Sequence, residues 1–390
     1  MLARQYEKQS MRKIMNGAEA MAEAAKMAGV RVTSVFPITP QTEVTELLCN
    51  NPGITTLRGN SEYNVMALTQ GAAWGGVRVF TVTAGQGLVL MSELMWEVAG
   101  NRLPIVMGVF SRALKGPTWS LGSQQNDALM MRDTGWLQFY CESAQEIFDY
   151  ILIAYKICEQ VKIPAMVIGD GFYLSHTKET VELPEAQLVE RFLPPTSPQE
   201  LLPIGPGSTV FASKRPVVDY FVFYEELNDM IRKLPDGPLP GVFSEFEAVF
   251  GRSRNLVETH KCGMAKTVFV TSGITAGTVR AYIDEHAKEC VDVGLIKLLA
   301  LRPFPERQLV EAIGPQVEHL VVLDRNLSVG RGGIWAQEIS TTLFNREGAR
   351  PKLYNYIIGI GGENFDQRMV KRIHMRIMSG EADTMPRFVH

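Results

Sequence analysis

Val77-Arg-Val-Phe-Thr-Val-Thr-Ala-Gly-Gln-Gly-Leu88 passes from a β-branched, apolar run into a glycine turn and on into an apolar segment. Residues 77–83 read as a strand and Leu88 to Val98 as a helix, the order of elements in a βα unit. Outward from this stretch the alternation repeats. Small and apolar residues recur at helical spacing from Gly17 to Met27, and Val30–Phe36 reads as a strand ending at Pro37. A helix is expected over Glu43–Leu48, another opening at Ser61, and strands over Pro104–Phe110 and Pro164–Gly169. Strands alternating with helices predict an α/β fold with a doubly wound parallel sheet. In such sheets ligands gather beyond the carboxyl ends of the strands, where loops meet helix N-termini.

Composition shifts at Leu193-Pro-Pro195, and the following stretch is rich in Pro and Gly. A first domain is therefore expected over 13–192 and a linker over 193–265 with one helix, Tyr220–Arg232. A second, smaller α/β domain is expected over 266–390. It opens with the strand Thr267–Thr271 and continues through a helix over Gly277–His286 and strands over Val293–Leu299 and Leu320–Leu323.

The chain has 390 residues, 46% of them hydrophobic, which is ample for cores in two or three domains. A formal charge of −3 with scattered Lys and Arg argues against nucleic acid as a partner. The five cysteines (49, 141, 158, 262 and 290) are widely spaced and form no C-x-x-C pair. That pattern argues against a disulfide framework, a zinc site or an iron–sulfur cluster held by this chain. The polar N-terminus and the lack of a long apolar run predict no signal peptide and no membrane span, hence a reducing cytoplasm. The six histidines form no H-x-x-x-H pair or nucleophile elbow, which argues against metalloenzymes and hydrolases.

Three loops carry candidate chemistry. Ser61-Glu62 at a helix start can be a plain N-cap with an acidic first-turn residue, or Glu62 can be a buried carboxylate sharing a proton with a heterocycle nitrogen. Arg112 follows an apolar strand, so it is either an ordinary ion-paired arginine or a guanidinium placed to hold a carboxylate bidentately. Thr39 sits in Phe36-Pro-Ile-Thr-Pro40, where the prolines restrict the direction of its hydroxyl. Thr83-Ala-Gly-Gln-Gly87 is a tight turn that would also let a ligand approach the backbone. Gly169-Asp-Gly171 is a candidate magnesium and diphosphate motif, but no Asn occurs between Gly171 and Asn228, so a divalent cation would be under-coordinated and no metal site is expected.

In chain order, Pro37–Pro40, Ser61-Glu62, Thr83–Leu88, Arg102–Val106, Ser111–Leu114, Arg132-Asp-Thr-Gly-Trp136, Arg302-Pro-Phe-Pro305 and Ile358–Gly362 resemble the α subunit of 2-oxoacid:ferredoxin oxidoreductases. The resemblance spans about Lys13 to Asp366. It implies that 13–192 is the pyrimidine-side domain of a thiamine diphosphate enzyme and 266–390 a transketolase C-terminal-type domain. A partner β subunit would hold the diphosphate and Mg2+. By matching position, Glu62 would hydrogen-bond N1′ of the aminopyrimidine, with Pro37, Ile38, Gln86 and Gly87 around the cofactor, and Thr39 and Arg112 would hold the 2-oxoacid.

The implied reaction is oxidative decarboxylation of a 2-oxoacid, pyruvate by default, to acyl-CoA and CO2. Electrons would pass to iron–sulfur clusters on partner γ and δ subunits and then to ferredoxin. Two departures bear on substrate and site. Lys115-Gly-Pro-Thr-Trp119 partly resembles the loop of branched-chain and 2-oxoglutarate members. With Trp119 and Trp136 as candidate ring surfaces, this leaves open a branched-chain acid or phenylglyoxylate (to benzoyl-CoA), with a flavin subunit passing electrons to NAD. Tyr63 stands where many members have His. Two other classes compete: a nucleotide-dependent dehydrogenase, which the missing G-x-G-x-x-G opposes, and a scaffold subunit, which would tolerate loss of Glu62.

Overall fold

The computed structural model describes residues 10–198, 219–345 and 350–390. Residues 199–218 of the expected linker and 1–9 of the polar N-terminus lie outside the described residues. The strands are β1 (Ser10–Met15), β2 (Val32–Val35), β3 (Thr55–Arg58), β4 (Val79–Thr83), β5 (Val106–Ser111), β6 (Leu137–Cys141), β7 (Ala165–Asp170) and β8 (Glu179–Pro184). They continue with β9 (Val257–His260), β10 (Thr267–Thr271), β11 (Val293–Leu298), β12 (Ala300–Arg302), β13 (His319–Asp324), β14 (Lys352–Ile358) and β15 (Arg387–Val389).

The first sheet has seven strands in the order β12-β6-β7-β5-β4-β2-β3, all parallel except β12. Its central strands are buried on both faces, which is why Val-Phe-Thr-Val-Thr and Val-Met-Gly-Val-Phe-Ser read as near-continuous apolar runs rather than alternating ones. The chain leaves β2 for edge strand β3 and returns as β4 on the other side of β2. This reversal opens a crevice at the carboxyl ends of β2 and β4, the usual ligand position in such sheets. The second sheet has six strands in the order β15-β14-β13-β10-β11-β9, with β9 antiparallel.

Local chemistry explains the helices that flank the crevice. Helix Gly17–Met27 starts on a capping box in which the Asn16 side chain accepts from Glu19 N while the Glu19 carboxylate accepts from Asn16 N. The helix lies so close to β5 that a Cβ on Gly108 would sit 2.3 Å from Met21 Sδ. Helix Glu62–Trp74 starts on Ser61, whose hydroxyl accepts from Asn64 N at 3.3 Å.

Several elements differ from the sequence expectation. Between β5 and β7 lie β6 and the long helix Ala144–Val161, neither expected. That helix packs against Gly17–Met27 and Pro238–Phe250 as well as the sheet, so most of its surface is buried, the charged Glu146 and Asp149 included. The expected helix over Leu88–Val98 is two, Gln86–Leu90 and Ser92–Gly100. Among its described residues, the stretch expected as a linker with one helix includes the helices Asp219–Lys233 and Pro238–Phe250, and then β9 of the second sheet. Leu239, Val242, Phe243 and Phe246 of the second helix join the main core beneath the first sheet. β12 crosses over to pair with β6, so the second unit contributes a strand to the first sheet.

Candidate active site

The site is built at the carboxyl ends of β2, β3, β4 and β5. Glu62 opens its helix just beyond β3 and is buried at 6% exposure. No hydrogen bond reaches its carboxylate among the described residues. It faces the turn after β4, where a Cβ on Gly87 would lie 2.7 Å from Glu62 Oε1 and 2.6 Å from Thr83 Oγ1. Only glycine leaves the carboxylate where it is. The Thr83 hydroxyl is also buried without a partner, so the cradle presents two polar groups that the protein does not satisfy.

Arg112 follows β5 and is 2% exposed. Its Nη1 donates to the Thr39 carbonyl at 2.6 Å and its Nη2 to Gln86 Oε1 at 2.7 Å, while Nε is buried without a partner. The Trp119 ring centroid lies 5.4 Å from its Cζ, and Trp119 is itself 58% exposed. Gly85, at φ +54°, lies against the same side chain, since a Cβ there would be 2.5 Å from Arg112 Nε. Burial lowers the guanidinium pKa, and the charges of Asp127 and Glu62 oppose that shift.

Asp127 is a member of the site that sequence reading missed. Fully buried, it accepts from Gly85 N at 2.9 Å and Arg112 N at 3.1 Å through Oδ2, and from Ala128 N at 2.8 Å through Oδ1. One carboxylate thus ties the turn after β4 to the end of β5. Burial raises its pKa to about 6 against those amide hydrogen bonds. Its only sequence signal is an acidic residue in the first turn of a short helix, a common N-terminal feature.

The fold therefore brings Glu62, Gln86, Gly87, Arg112 and the Thr39 carbonyl to one crevice. The Thr39 hydroxyl is on an exposed residue, so it is the carbonyl and not the hydroxyl that Arg112 contacts. Pro37 and Ile38 join only through their loop, which Gln41 braces by donating from Nε2 to the Phe36 carbonyl and from N to the Ile38 carbonyl. Tyr63 points outward at 43% exposure. Trp136 is not at the crevice: it precedes β6, at the opposite end of the sheet, and is fully buried with its indole donating to the Met95 carbonyl. Asp170 is engaged elsewhere, accepting from Ser123 Oγ at 2.6 Å and from Ile274 N at 3.0 Å.

A doubly wound sheet with an unpartnered carboxylate facing a glycine cradle and a buried arginine beside it suits a cofactor-assisted enzyme acting on an anionic substrate. Comparison with known proteins agrees. Residues 23–236 match the family described as pyruvate flavodoxin/ferredoxin oxidoreductase, thiamine diphosphate-binding, and residues 265–370 match pyruvate:ferredoxin oxidoreductase core domain II. The chain is 40% identical to the ketoisovalerate oxidoreductase subunit VorA of Pyrococcus horikoshii, covering 93% of each. It is 38% identical to the pyruvate synthase subunit PorA of Pyrococcus furiosus, covering 91% of this chain and 90% of that one. A solved 2-oxoglutarate:ferredoxin oxidoreductase from Magnetococcus marinus superposes with a TM-score of 0.71 at 20% identity, covering 94% of this chain. This chain spans 65% of the length of that structure's chain. The chain belongs to the pyruvate flavodoxin/ferredoxin oxidoreductase family, and it is a subunit of a 2-oxoacid oxidoreductase. No helix among the described residues is long and apolar enough to cross a membrane.

Proposed function

We propose that this chain is the pyrimidine-side α subunit of a cytoplasmic, thiamine diphosphate-dependent enzyme that oxidatively decarboxylates a 2-oxoacid to acyl-CoA and CO2. One observation carries the reading: Glu62 is a buried residue whose carboxylate has no hydrogen-bond partner among the described residues and lies against Gly87, where an added methyl would crowd it. A carboxylate with no protein donor is free to accept a hydrogen bond from a ring nitrogen of the cofactor. When bound, thiamine diphosphate supplies the nucleophilic carbon and the electron sink for loss of the carboxyl group.

This chain's own residues do the rest of the local work. Arg112 places a permanent positive charge in the crevice. Thr39, Gln86 and Asp127 fix its direction, through the carbonyl, the side-chain amide oxygen and the backbone respectively. The substrate carboxylate would meet that guanidinium, with Trp119 covering it. Both Asp170 carboxylate oxygens are engaged by protein donors, which supports a diphosphate and Mg2+ site on a partner β subunit. The iron–sulfur clusters belong to further partner subunits in this reading, with ferredoxin as acceptor.

Pyruvate is the default substrate. A branched-chain acid is the second reading, supported by the exposed Trp119 ring over Arg112 and by the similarity to ketoisovalerate oxidoreductase subunits. The test is CoA-dependent reduction of a viologen dye by the purified complex with its thiamine diphosphate content measured. Pyruvate, 2-oxoisovalerate, 2-oxoglutarate, phenylglyoxylate and indolepyruvate are offered side by side. Turnover of one acid names the substrate; silence with all of them in a loaded complex overturns the reading.

A further inference from the structure

The carboxyl edges of the two sheets meet across a seam. Gln125 N donates to the Arg325 carbonyl at 2.9 Å, Asn126 Nδ2 to the Leu327 carbonyl at 2.9 Å and Gly361 N to Gln124 Oε1 at 2.8 Å. Gly122 and Gly362 touch backbone to backbone, since a Cβ on either would lie 2.4 Å from the other's Cα.

Arg325 stands in this seam, one residue past β13, and is 3% exposed. Its guanidinium lies against Gly359, where a Cβ would be 2.4 Å from Nη1 and 2.7 Å from Cζ, and 5.5 Å from the ring centroid of Tyr173. Tyr173 comes from the first sheet's edge and Gly359 from the second's, so the group is flanked by both. Nε and Nη1 are sealed from solvent without a hydrogen-bond partner. Among the described residues, no carboxylate pairs with Arg325.

Among the described residues the other buried cations differ from Arg325: two meet carboxylates, and Arg112 belongs to the crevice already described. Lys297 meets Glu142, Glu146 and Glu258, Arg78 meets Glu159, and Arg112 donates to two oxygens of its own site. A lysine or histidine left unpaired can shed its proton, but a guanidinium cannot, so Arg325 retains a full buried charge. A buried charge with nothing opposite it is strongly destabilising, and an oxyanion is what its planar fork fits.

We propose that Arg325 anchors a second anion site, separate from Arg112, that takes a small oxyanion of the carboxylate or phosphate class at the seam between the two sheets. Its occupant stabilises the contact between the loops around Gly122 and Gly359–Gly362. The site adjoins the crevice loop, because Gly171, two residues before Tyr173, packs within 3.3 Å of Pro40 Cγ as judged by its Cβ position. The inference does not depend on the roles given to Glu62 and Arg112.

The test is calorimetric melting of the assembled enzyme in a low-anion buffer, titrated with inorganic phosphate and separately with acetate, for wild type, Arg325→Met and Arg325→Lys. For the wild type the melting midpoint should climb with the logarithm of the concentration of one of the two anions. Arg325→Met should be flat, and without added anion it should melt at or above the wild type, because an unpaired charge has been removed. Arg325→Lys should need at least about tenfold more anion for the same shift, having lost the planar fork. If Arg325→Met does not assemble, the lysine comparison decides, and an unchanged titration there overturns the proposal. A wild type that responds to neither anion, or an Arg325→Met enzyme that responds like wild type, also overturns it. Subunit loss from Arg325→Met on sedimentation, with an unresponsive wild type, would assign the fork to a partner's carboxylate and likewise end the free-anion proposal.

Discussion

Glu62 and Asp324 are both buried carboxylates beside a helix start at the carboxyl edge of a parallel sheet, yet they are treated in opposite ways. Asp324 accepts from Trp335 N, Ala336 N, Asn326 Nδ2 and Asn355 Nδ2, at 2.8 to 3.2 Å. It caps helix Ile334–Phe344 and clasps β14. Glu62 accepts nothing and faces Gly87. In the proposed reading the first sheet keeps a carboxylate for a ligand, whereas the second uses one to hold itself together. Both carboxylates lie past the carboxyl ends of parallel strands, so what separates them is whether the neighbouring segment offers amides or withholds them.

The largest effect should come from exchanging each acid for its amide. Glu62→Gln is expected to lower turnover of the assembled enzyme by roughly 10²- to 10⁴-fold with an unchanged melting midpoint. Wild-type turnover in that variant would reduce Glu62 to an N-terminal helix residue and favour the scaffold reading.

Asp127 is the intermediate case, a carboxylate satisfied by amides yet touching the site. Its pKa is about 6 in the fold against an ordinary 3.8. Between those values the native state holds the extra proton, so the stability it contributes is present at low pH and lost as pH rises through that window. The stability of wild type minus that of Asp127→Asn should therefore fall by roughly 3 kcal/mol from below pH 4 to above pH 6. Asp324 also titrates near 6, and only this difference isolates Asp127. A pH-independent difference would mean that Asp127 is not desolvated.

Gly87→Ala tests the withheld space itself. The added methyl meets Glu62 Oε1 and Thr83 Oγ1, and displacing the carboxylate by about 1 Å should cost roughly 10²-fold in kcat/KM. Retained activity would show that the turn yields without moving Glu62. Asp324→Ala should do the reverse, lowering stability by about 2 kcal/mol through the amides it strands while each folded active site keeps its turnover. Thermal melting with active-site titration separates the two outcomes.

Much of this comparison was legible before any coordinates. Helix Gly17–Met27 carries a helical period and strand Thr267–Thr271 a β-branched apolar run, and both occupy the expected residues. The loops after β2, β4 and β5 fall at the carboxyl edge because strand and turn signals alternate along the chain. Helix Ala144–Val161 is as amphipathic as Gly17–Met27 and starts on a Ser143 N-cap, so its signal is present in the sequence although it is absent from the expectation. The linker helix Pro238–Phe250 was hidden behind its prolines and glycine, although Pro at the first helical position is a start signal.

By itself the sequence determined the kind of fold, the loops that carry acid, guanidinium and glycine, and the family motifs, since periodicity and turn chemistry are local properties of the chain. Only the tertiary structure decided that among the described residues Glu62 has no donor while Asp324 has four, that Asp127 ties Arg112 to Gly85, that Trp136 lies at the far end of the sheet, and that Arg325 is buried with no carboxylate beside it. Those outcomes depend on which backbone amides and side chains from distant segments converge on one buried atom, and in a low-dielectric interior that convergence sets whether a charge braces the fold or waits for a ligand.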